Sequence, residues 1–240
     1  MKRIGILYPS AGVAEAELQK PLPADVSLHV TRVPMSAPSY EALLQMAEHV
    51  EEGAKLLADA KVDVIAFACT AGSFIQGEGY DREIIARITR CTGLPSTTTT
   101  TAVVEGLKEL KAKDIVLLTP YDVKINELEV AFLEGAGFKV LNHKGLGLTD
   151  CISQYEVEPS SWLDLIRGMR HPRADAYLVS CGGIRVVDII ERSEVELGRP
   201  VLTSNQALVW HCLRMMGMDR EIRGFGQLLR TPLSRDGLPL

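Results

Sequence analysis

The chain has 240 residues and a net charge of −5, with 46% hydrophobic and 24% charged residues, which is the composition of a globular protein able to bury a sizeable core. The lack of a basic tract and an aromatic content of only 5% argue against a nucleic-acid partner. No apolar run reaches the roughly 18 residues of a membrane span. The N-terminus leads directly into a short predicted strand, so neither a signal peptide nor a membrane partner is expected.

The first part of the chain predicts alternating strands and helices. Short apolar segments predict strands at 3–8, 26–33 and 63–68, and apolar residues at helical spacing predict helices at 40–60, 81–92 and 102–110. Ser39 is the expected N-cap of the first helix, and the loop at 34–39 is placed to cover the ligand edge of the sheet. Neither GxGxxG nor GxxxxGKS/T follows the first strand, which argues against a dinucleotide site and a P-loop.

The second part repeats this order. Strands are predicted at 114–121, 138–141, 175–181 and 201–205, and helices at 126–135, 159–169, 186–197 and 207–216. Pro9 and Cys69 are 60 residues apart, Pro120 and Cys181 are 61 residues apart, and a Gly-x-Pro sequence follows each cysteine. Any doubly wound chain contains strands at similar intervals, but the recurrence of proline, cysteine and Gly-x-Pro in one order favours a true repeat.

The repeat predicts an α/β fold of two similar halves related by an approximate twofold axis, each a doubly wound parallel sheet of about four strands. The halves are assigned to residues 1–112 and 113–240, and the C-terminal residues of the first half can cross over to the other. The tail from Gly224 has few apolar residues and is expected to be a surface extension.

Two cysteines, Cys69 and Cys181, end equivalent predicted strands, each six residues after an aspartate. Open α/β sheets bind ligands at the carboxyl ends of their strands, so we expect one thiol on each wall of a cleft between the halves. The alternative is that each is a small buried hydrophobe, and Cys91, Cys151 and Cys212 are interpreted in that way. An odd number of cysteines without zinc-ligand spacing indicates free thiols in a reducing cytoplasm and no metal site.

Two thiols facing one carbon can racemise or epimerise a carboxylic acid without a cofactor. One thiolate removes the proton next to the carboxylate, and the opposite thiol returns a proton to the other face. The resulting enediolate needs hydrogen-bond donors. The donors beside the cysteines are the backbone N–H groups of Thr70, Ala71, Gly182 and Gly183 and the hydroxyls of Thr70 and Tyr121. The alternative is that Gly182 and Gly183 only form a turn and that Tyr121 only packs against its neighbours, without a binding role.

Several motifs together carry a family resemblance. They are Tyr8-Pro9-Ser10-Ala11-Gly12, Cys69-Thr70-Ala71-Gly72-Ser73-Phe74, Gly93-Leu94-Pro95, Thr97 to Ala102, Gly106-Leu107, Thr119-Pro120-Tyr121, Asn126-Glu127 and Ser180-Cys181-Gly182-Gly183. To about Leu229 the chain resembles the aspartate/glutamate racemase superfamily, in the branch of arylmalonate decarboxylases and maleate cis-trans isomerases. The resemblance implies a two-half α/β fold, no cofactor, and catalytic cysteines in the cleft. It also implies a pocket for a small carboxylate or dicarboxylate, formed by Ser10, Thr70, Ala71, Tyr121, Gly182 and Gly183.

Members of this branch differ at two positions that bear on the reaction. The decarboxylases have glycine where this chain has Cys69, whereas the isomerases and racemases carry both thiols. The isomerases typically have an asparagine where this chain has Gly12. We therefore expect a cofactor-independent isomerase or racemase, either maleate-isomerase-like or amino/hydroxy-acid-racemase-like. The alternatives are an arylmalonate-type decarboxylase with Cys181 as the proton donor and a non-catalytic carboxylate-binding or regulatory protein. A homo-oligomer is left open.

Overall fold

The computed structural model describes residues 1–231, and its strands form two four-stranded sheets of the same topology. The strands are β1 (Lys2–Pro9), β2 (Val26–Val33), β3 (Val64–Phe67), β4 (Ser96–Thr98), β5 (Asp114–Thr119), β6 (Lys139–Gly145), β7 (Ala176–Val179) and β8 (Val201–Thr203). Their orders are β2-β1-β3-β4 and β6-β5-β7-β8, and all neighbouring strands are parallel. The predicted α/β fold of two doubly wound halves is confirmed.

Helices connect the strands and cover the sheets. They are α1 (Glu15–Gln19), α2 (Tyr40–Met46), α3 (Val50–Asp59), α4 (Thr70–Phe74), α5 (Tyr80–Thr92), α6 (Thr99–Glu109), α7 (Val123–Gly135), α8 (Cys151–Glu156), α9 (Pro159–Gly168), α10 (Ile190–Leu197), α11 (Ser204–Met215) and α12 (Gln227–Arg230), with 3-10 turns at Ala47–His49 and Val187–Ile189. None of the helices in the described part of the chain is long and apolar enough to cross a membrane.

Equivalent aspartates fix the start of the central strand in each sheet. Strands β3 and β7 are buried at every residue, as expected for continuous apolar runs in a parallel sheet covered on both faces. Before β3, the carboxylate of Asp63 accepts a hydrogen bond from the N–H of Arg3 at 2.8 Å. Before β7, Asp175 accepts hydrogen bonds from the N–H groups of Lys113 and Asp114, both at 2.9 Å. The aspartates therefore align each central strand with β1 or β5, and the cysteines that follow reach the same edge.

The helices that follow the edge strands join the two halves. Thr98 caps α6 by accepting a hydrogen bond from the N–H of Thr101, and Thr203 caps α11 in the same way from Gln206. Helix α11 follows the second sheet but packs against α6 and also contacts α1 and β3 of the first half. Residues 110–113 connect α6 to β5, so the predicted division of the chain after residue 112 falls in a connection.

Several helix boundaries differ from the predicted ones for local reasons. The predicted helix at 40–60 begins at the cap Ser39, whose side chain accepts a hydrogen bond from the N–H of Ala42, but a 3-10 turn divides it into α2 and α3. Helices α6 and α11 each begin three residues early because threonine caps precede them. Helices α1, α4 and α8 have only five or six residues, too few to show a hydrophobic period.

The prediction that the tail from Gly224 is a surface extension is wrong for residues 224–231. Helix α12 buries Leu228 and Leu229, and the carbonyl of Leu229 accepts a hydrogen bond from the N–H of Ile222 at 2.8 Å. Arg230 pairs with Glu191 and Glu194 of α10. Leu228 and Leu229, together with Phe225 and the ion pairs of Arg230, therefore anchor this segment. The same prediction for residues 232–240 lies outside the described residues.

Candidate active site

A cavity of about 410 Å³, partly open to solvent, lies at the carboxyl ends of the central strands. Its lining comes from both halves: Tyr8, Pro9, Gly12, Met35, Pro38, Leu43, Ala68, Cys69, Thr70 and Ala71 from the first, and Tyr121, Cys151, Gln154, Cys181, Gly182 and Gly183 from the second. The 410 Å³ includes space open to solvent, and only about 40 Å³ is accessible to the centre of a water-sized molecule, so the cavity suits a small ligand. Within residues 1–231 the lining contains no lysine, arginine or histidine, so a bound anion would be held by hydrogen-bond donors rather than by an ion pair.

Cys69 lies at the turn from β3 into α4, where it is the N-cap residue. Its Sγ accepts a hydrogen bond from the N–H of Gly72 at 3.3 Å. A Cβ atom at position 72 would lie 3.0 Å from that sulfur, closer than side chains normally approach, so glycine leaves the space that the thiol occupies. The position of the sulfur is therefore set by the N-terminus of α4 and by the absence of a side chain at Gly72.

Cys181 follows β7 and is held by contacts from three directions. Its Sγ accepts a hydrogen bond from the N–H of Gly183 at 3.2 Å, and the hydroxyl of Tyr121 also hydrogen-bonds to it. The amide oxygen of Gln154 lies 3.7 Å from the sulfur, within reach of a bond from the thiol. The backbone N–H of Cys181 donates to the hydroxyl of Ser204 at 3.0 Å. The sulfur is therefore oriented by the side chains of Tyr121 after β5 and Gln154 of α8 and by a backbone N–H of the turn that follows it.

Burial disfavours the thiolate form of both cysteines. Burial raises the pKa of Cys69 to about 12, against the opposing effect of the hydrogen bond from Gly72. Burial also raises the pKa of Cys181 to about 12, although hydrogen bonds from Gly183 and Tyr121 act in the opposite direction. A negative charge on Cys181 raises the pKa of Cys69 further, so the structure disfavours two thiolates at once. This coupling therefore allows at most one of the two sulfurs to be a thiolate at a time.

Five of the predicted substrate-binding residues, Thr70, Ala71, Tyr121, Gly182 and Gly183, surround these thiols and line the cavity. The sixth, Ser10, is exposed and does not line it. The Ser10 hydroxyl accepts a hydrogen bond from the N–H of Met35 at 2.9 Å and donates to its carbonyl at 3.1 Å. Ser10 therefore holds in place the loop that brings Met35 to the cavity.

The residues around Gly147 to Tyr155 are expected from the sequence to shape the pocket, and they include most of α8, but the sequence does not single out Gln154 or Cys151. This helix brings Gln154 and Cys151 to the cavity, although Cys151 is interpreted from sequence as structural. The side chain of Asp150 accepts a hydrogen bond from the N–H of Ser153, which is an N-cap signal that the sequence offers. No sequence rule, however, places that helix opposite Cys181. A third thiol and a buried amide therefore belong to the site only because of tertiary packing.

One wall of the cavity is apolar and comes from the loop and helix after β2. Met35, Pro38 and Leu43 contribute it, as the position of the two-proline loop predicts. The side chain of Tyr8 fills the adjacent space, and its hydroxyl accepts a hydrogen bond from the N–H of Ala14 at 3.0 Å. A Cβ atom at Gly12 would collide with the Tyr8 ring. Position 12 is thus closed to a side chain while Tyr8 occupies this space.

A cavity with two thiols at the carboxyl ends of equivalent parallel strands defines a class of two-half α/β enzymes with cysteine-based sites. The chain belongs to the arylmalonate decarboxylase family, whose model matches residues 4–229. It is 30% identical to the arylmalonate decarboxylase of Bordetella bronchiseptica over 93% of this chain and 94% of that protein.

Solved structures of maleate isomerases are also similar to this chain in fold. The maleate isomerase Iso of Pseudomonas putida S16 superimposes with a TM-score of 0.92 at 26% identity, over 95% of this chain and 98% of that one. A variant of the Nocardia farcinica maleate cis-trans isomerase with a covalently bound succinylcysteine intermediate gives a TM-score of 0.91 at 27% identity, over 95% and 98% of the two chains. The relatives therefore include both an isomerase and a decarboxylase, as the sequence resemblance implies.

Proposed function

We propose that this protein is a cofactor-independent isomerase or racemase of a small carboxylic acid, with Cys69 and Cys181 as its catalytic residues. The observation that carries the proposal is that both thiols line one cavity, each at the end of the central strand of its own sheet. They act with different neighbours, because Cys69 has a backbone donor alone whereas Cys181 also has the hydroxyl of Tyr121. The two sulfurs are thus suited to unequal roles.

In a racemase, the two cysteines exchange protons with opposite faces of one carbon. A thiolate removes the proton next to the substrate carboxylate, which leaves a planar enediolate, and the opposite thiol donates its proton to the other face. The N–H groups of Ala71, Gly182 and Gly183 and the hydroxyl of Thr70 are the donors we assign to the enediolate oxygens. The product is the mirror-image acid, and the proton has passed from one sulfur to the other.

In a cis-trans isomerase, Cys69 acts as a nucleophile. Its thiolate forms a C–S bond to one alkene carbon while the Cys181 thiol protonates the other, which gives a saturated thioether. Rotation about the new single bond follows. The Cys181 thiolate then removes a proton, the alkene reforms as the trans isomer, and the C–S bond breaks. The covalent succinylcysteine seen in the Nocardia farcinica relative supports this route.

The substrate is proposed to present a single carboxylate and an apolar substituent to the site. The apolar wall of Met35, Pro38 and Leu43 offers no partner for a second charge. Position 12 also lacks a side chain that could hold a second carboxylate, since Tyr8 occupies the space. These features favour a substituted acid over maleate itself.

The second candidate is decarboxylation of a substituted malonate, and the same apolar wall favours it. There, loss of CO2 leaves an enediolate that the Cys181 thiol protonates on one face, and Cys69 takes no part. The family that contains this chain includes an enzyme of that activity. We also expect the enzyme to act in the cytoplasm, because the five cysteines of the chain are free thiols.

The test is incubation of the purified enzyme in D2O with single enantiomers of 2-substituted acids, with cis-butenedioates and with arylmalonates. Proton NMR then distinguishes deuterium exchange at the α-carbon, cis-to-trans conversion and loss of CO2. We expect exchange or isomerisation in the wild type and none in Cys69→Ser or Cys181→Ser. Cys91→Ser changes a cysteine outside the cavity and is the matched control. A fully active Cys69→Ser enzyme would refute the isomerase and racemase mechanisms and leave the decarboxylase.

A further inference from the structure

A buried chain of hydroxyl groups connects the cavity to a carboxyl group that the proposed chemistry does not use. The hydroxyl of Thr70 at the cavity bonds to that of Ser204 at 3.0 Å, and Ser204 lies 3.3 Å from the hydroxyl of Ser180. Ser180 in turn bonds to Oε1 of Glu129 on α7. All four residues are buried. The chain thus runs from a donor assigned to the substrate to an acidic side chain in the core.

Glu129 has no partner for its second oxygen. Its Oε2 is buried without a hydrogen bond in the described part of the chain, and the side chain is 1% exposed. An ionised carboxylate would leave half of its charge without a donor, which is costly in a buried site. A protonated carboxyl avoids this cost, and its hydrogen has an acceptor only on Oε1, where Ser180 lies.

The direction of the hydroxyl chain depends on that proton. Ser204 already accepts the N–H of Cys181 at 3.0 Å, so its oxygen has room for one more donor, and a hydroxyl has only one hydrogen to give. When Glu129 is protonated on Oε1 it donates to Ser180, and Ser180 donates to Ser204. Ser204 then accepts from both Ser180 and the N–H of Cys181, so it can no longer accept the hydrogen bond that the Thr70 hydroxyl donates to it at 3.0 Å in the structure. The Thr70 hydrogen is then free for the cavity. When Glu129 is ionised, every hydroxyl is drawn to point toward it, and the Thr70 hydrogen points inward.

We propose that Glu129, when protonated, is a positioning residue that directs the chain through Ser180 and Ser204 and so frees the Thr70 hydroxyl to donate to a carboxylate in the cavity. The inference rests on the proposed function, since it concerns binding of a carboxylate at that site. It assigns a role to a residue that touches neither the substrate nor the thiols, and it makes carboxylate affinity depend on pH.

The electrostatic surroundings of Glu129 agree with this role. Burial raises the pKa of its carboxyl to about 8, against the opposing bond from Ser180. The titratable groups that feel its charge are Tyr121 after β5 and Cys181 after β7. On β6, His143 is bonded to Asn126 of the same helix at 2.8 Å. Helix α4, which also packs against α7, has no titratable side chain. The cationic side chains on these elements, Lys124 of α7 and Lys139 and Lys144 of β6, are exposed, and none of them is a cause of the pKa shift of Glu129.

The test measures binding of phenylacetate and malonate by NMR titration between pH 6 and pH 10, together with the infrared C=O band of a protonated carboxyl. In the wild type we expect affinity to fall roughly tenfold or more as pH rises through about 8, because a hydrogen bond to a charged ligand is lost. The infrared band should disappear over the same range. The Glu129→Gln variant keeps a donor for Ser180 at every pH. Its affinity for the carboxylates should therefore change little with pH, and the infrared band of the protonated carboxyl should be absent.

Ser204→Ala separates the hydroxyl chain from the charge itself. This variant keeps the Glu129–Ser180 contact, so the infrared band should titrate as before, but carboxylate binding should no longer follow it. If binding in Ser204→Ala keeps the wild-type pH dependence, or if Glu129→Gln does, the inference is wrong. Should Ser204→Ala fail to fold, the comparison of wild type with Glu129→Gln decides alone. A wild type that binds both probes equally at all pH values overturns only this inference, whereas a wild type that binds neither probe overturns the proposed function as well.

Discussion

Glu17 and Val186 tie the two halves of the molecule together beside the cavity. The Oε2 atom of Glu17, which is 2% exposed, accepts hydrogen bonds from the N–H groups of Val186 and Val187, each at 2.9 Å. Glu17 belongs to α1, which follows β1 of the first sheet, whereas Val186 closely follows the Cys181-Gly182-Gly183 segment. A carboxylate of one half therefore fixes the wall of the other half that carries the Cys181 thiol.

We expect Glu17→Ala to lower the free energy of unfolding by about 2 to 3 kcal/mol, because it leaves two buried N–H groups without an acceptor. Urea denaturation followed by circular dichroism measures the change. The control is Asp188→Asn, which removes an exposed partner of Lys20 in the same region and should change the stability by less than about 1 kcal/mol. Equal effects of the two variants would contradict the special role of Glu17.

Gly72→Ala should displace the sulfur of Cys69. The added Cβ would lie 3.0 Å from that sulfur and 3.3 Å from the ring of Phe67, and the thiol is the atom free to move. We expect activity to fall between about tenfold and a hundredfold from misplacement of a reacting group, with kcat more affected than KM. Gly168→Ala, where a Cβ would meet no atom within 4 Å, should leave activity unchanged. Steady-state kinetics of the two variants measures this difference. Equal activities of Gly72→Ala and Gly168→Ala would show that Gly72 does not position the Cys69 thiol.

Tyr121→Phe should make Cys181 harder to ionise. The Tyr121 hydroxyl holds the pKa of this thiol below the value that burial alone would give, so its removal raises that pKa. Alkylation of Cys181 by iodoacetamide, followed by mass spectrometry of its peptide, should become roughly tenfold slower at alkaline pH. The matched variant is Tyr177→Phe, whose hydroxyl instead accepts a hydrogen bond from the N–H of His171, and its rate should stay that of the wild type. Faster alkylation in Tyr121→Phe would reverse the assigned role of the hydroxyl.

The stability of the fold should decline in mild acid through His211. Burial lowers the pKa of this side chain from 6.5 to about 4, and its Nδ1 lies 2.9 Å from the hydroxyl of Thr97. Below pH 6.5 the unfolded chain gains a proton that the folded protein does not take up until about pH 4, so stability is present above this window and is lost as pH falls through it. The difference between the pKa values of the unfolded and folded states corresponds to a loss of about 3 kcal/mol of unfolding free energy. His211→Gln should show a smaller loss between these pH values in urea titrations, and an unchanged slope would assign the acid sensitivity to other groups.

Much of the architecture follows from the sequence because local chemistry specifies it. The apolar runs that end at Cys69 and Cys181 could only be central strands, since residues of that kind are buried on both faces of a parallel sheet. The equal spacing of proline and cysteine in the two parts predicted the repeated topology, and the alternation of strands and helices predicted the parallel order. Ser39 predicted the start of α2 correctly because a hydroxyl cap is a local interaction.

What the sequence by itself determined about this protein was therefore the pair of strand ends that carry the thiols, together with the donors next to them in the chain. Only the tertiary structure decided that Gln154 and Cys151 join the cavity, that the hydroxyl of Ser10 faces a loop backbone instead, and that α12 is anchored in part by two leucines. It also decided that Glu129 lies at the end of a hydroxyl chain from Thr70. The reason is that each of these contacts joins residues far apart in the chain, and their proximity depends on how the two sheets pack, which no local pattern encodes.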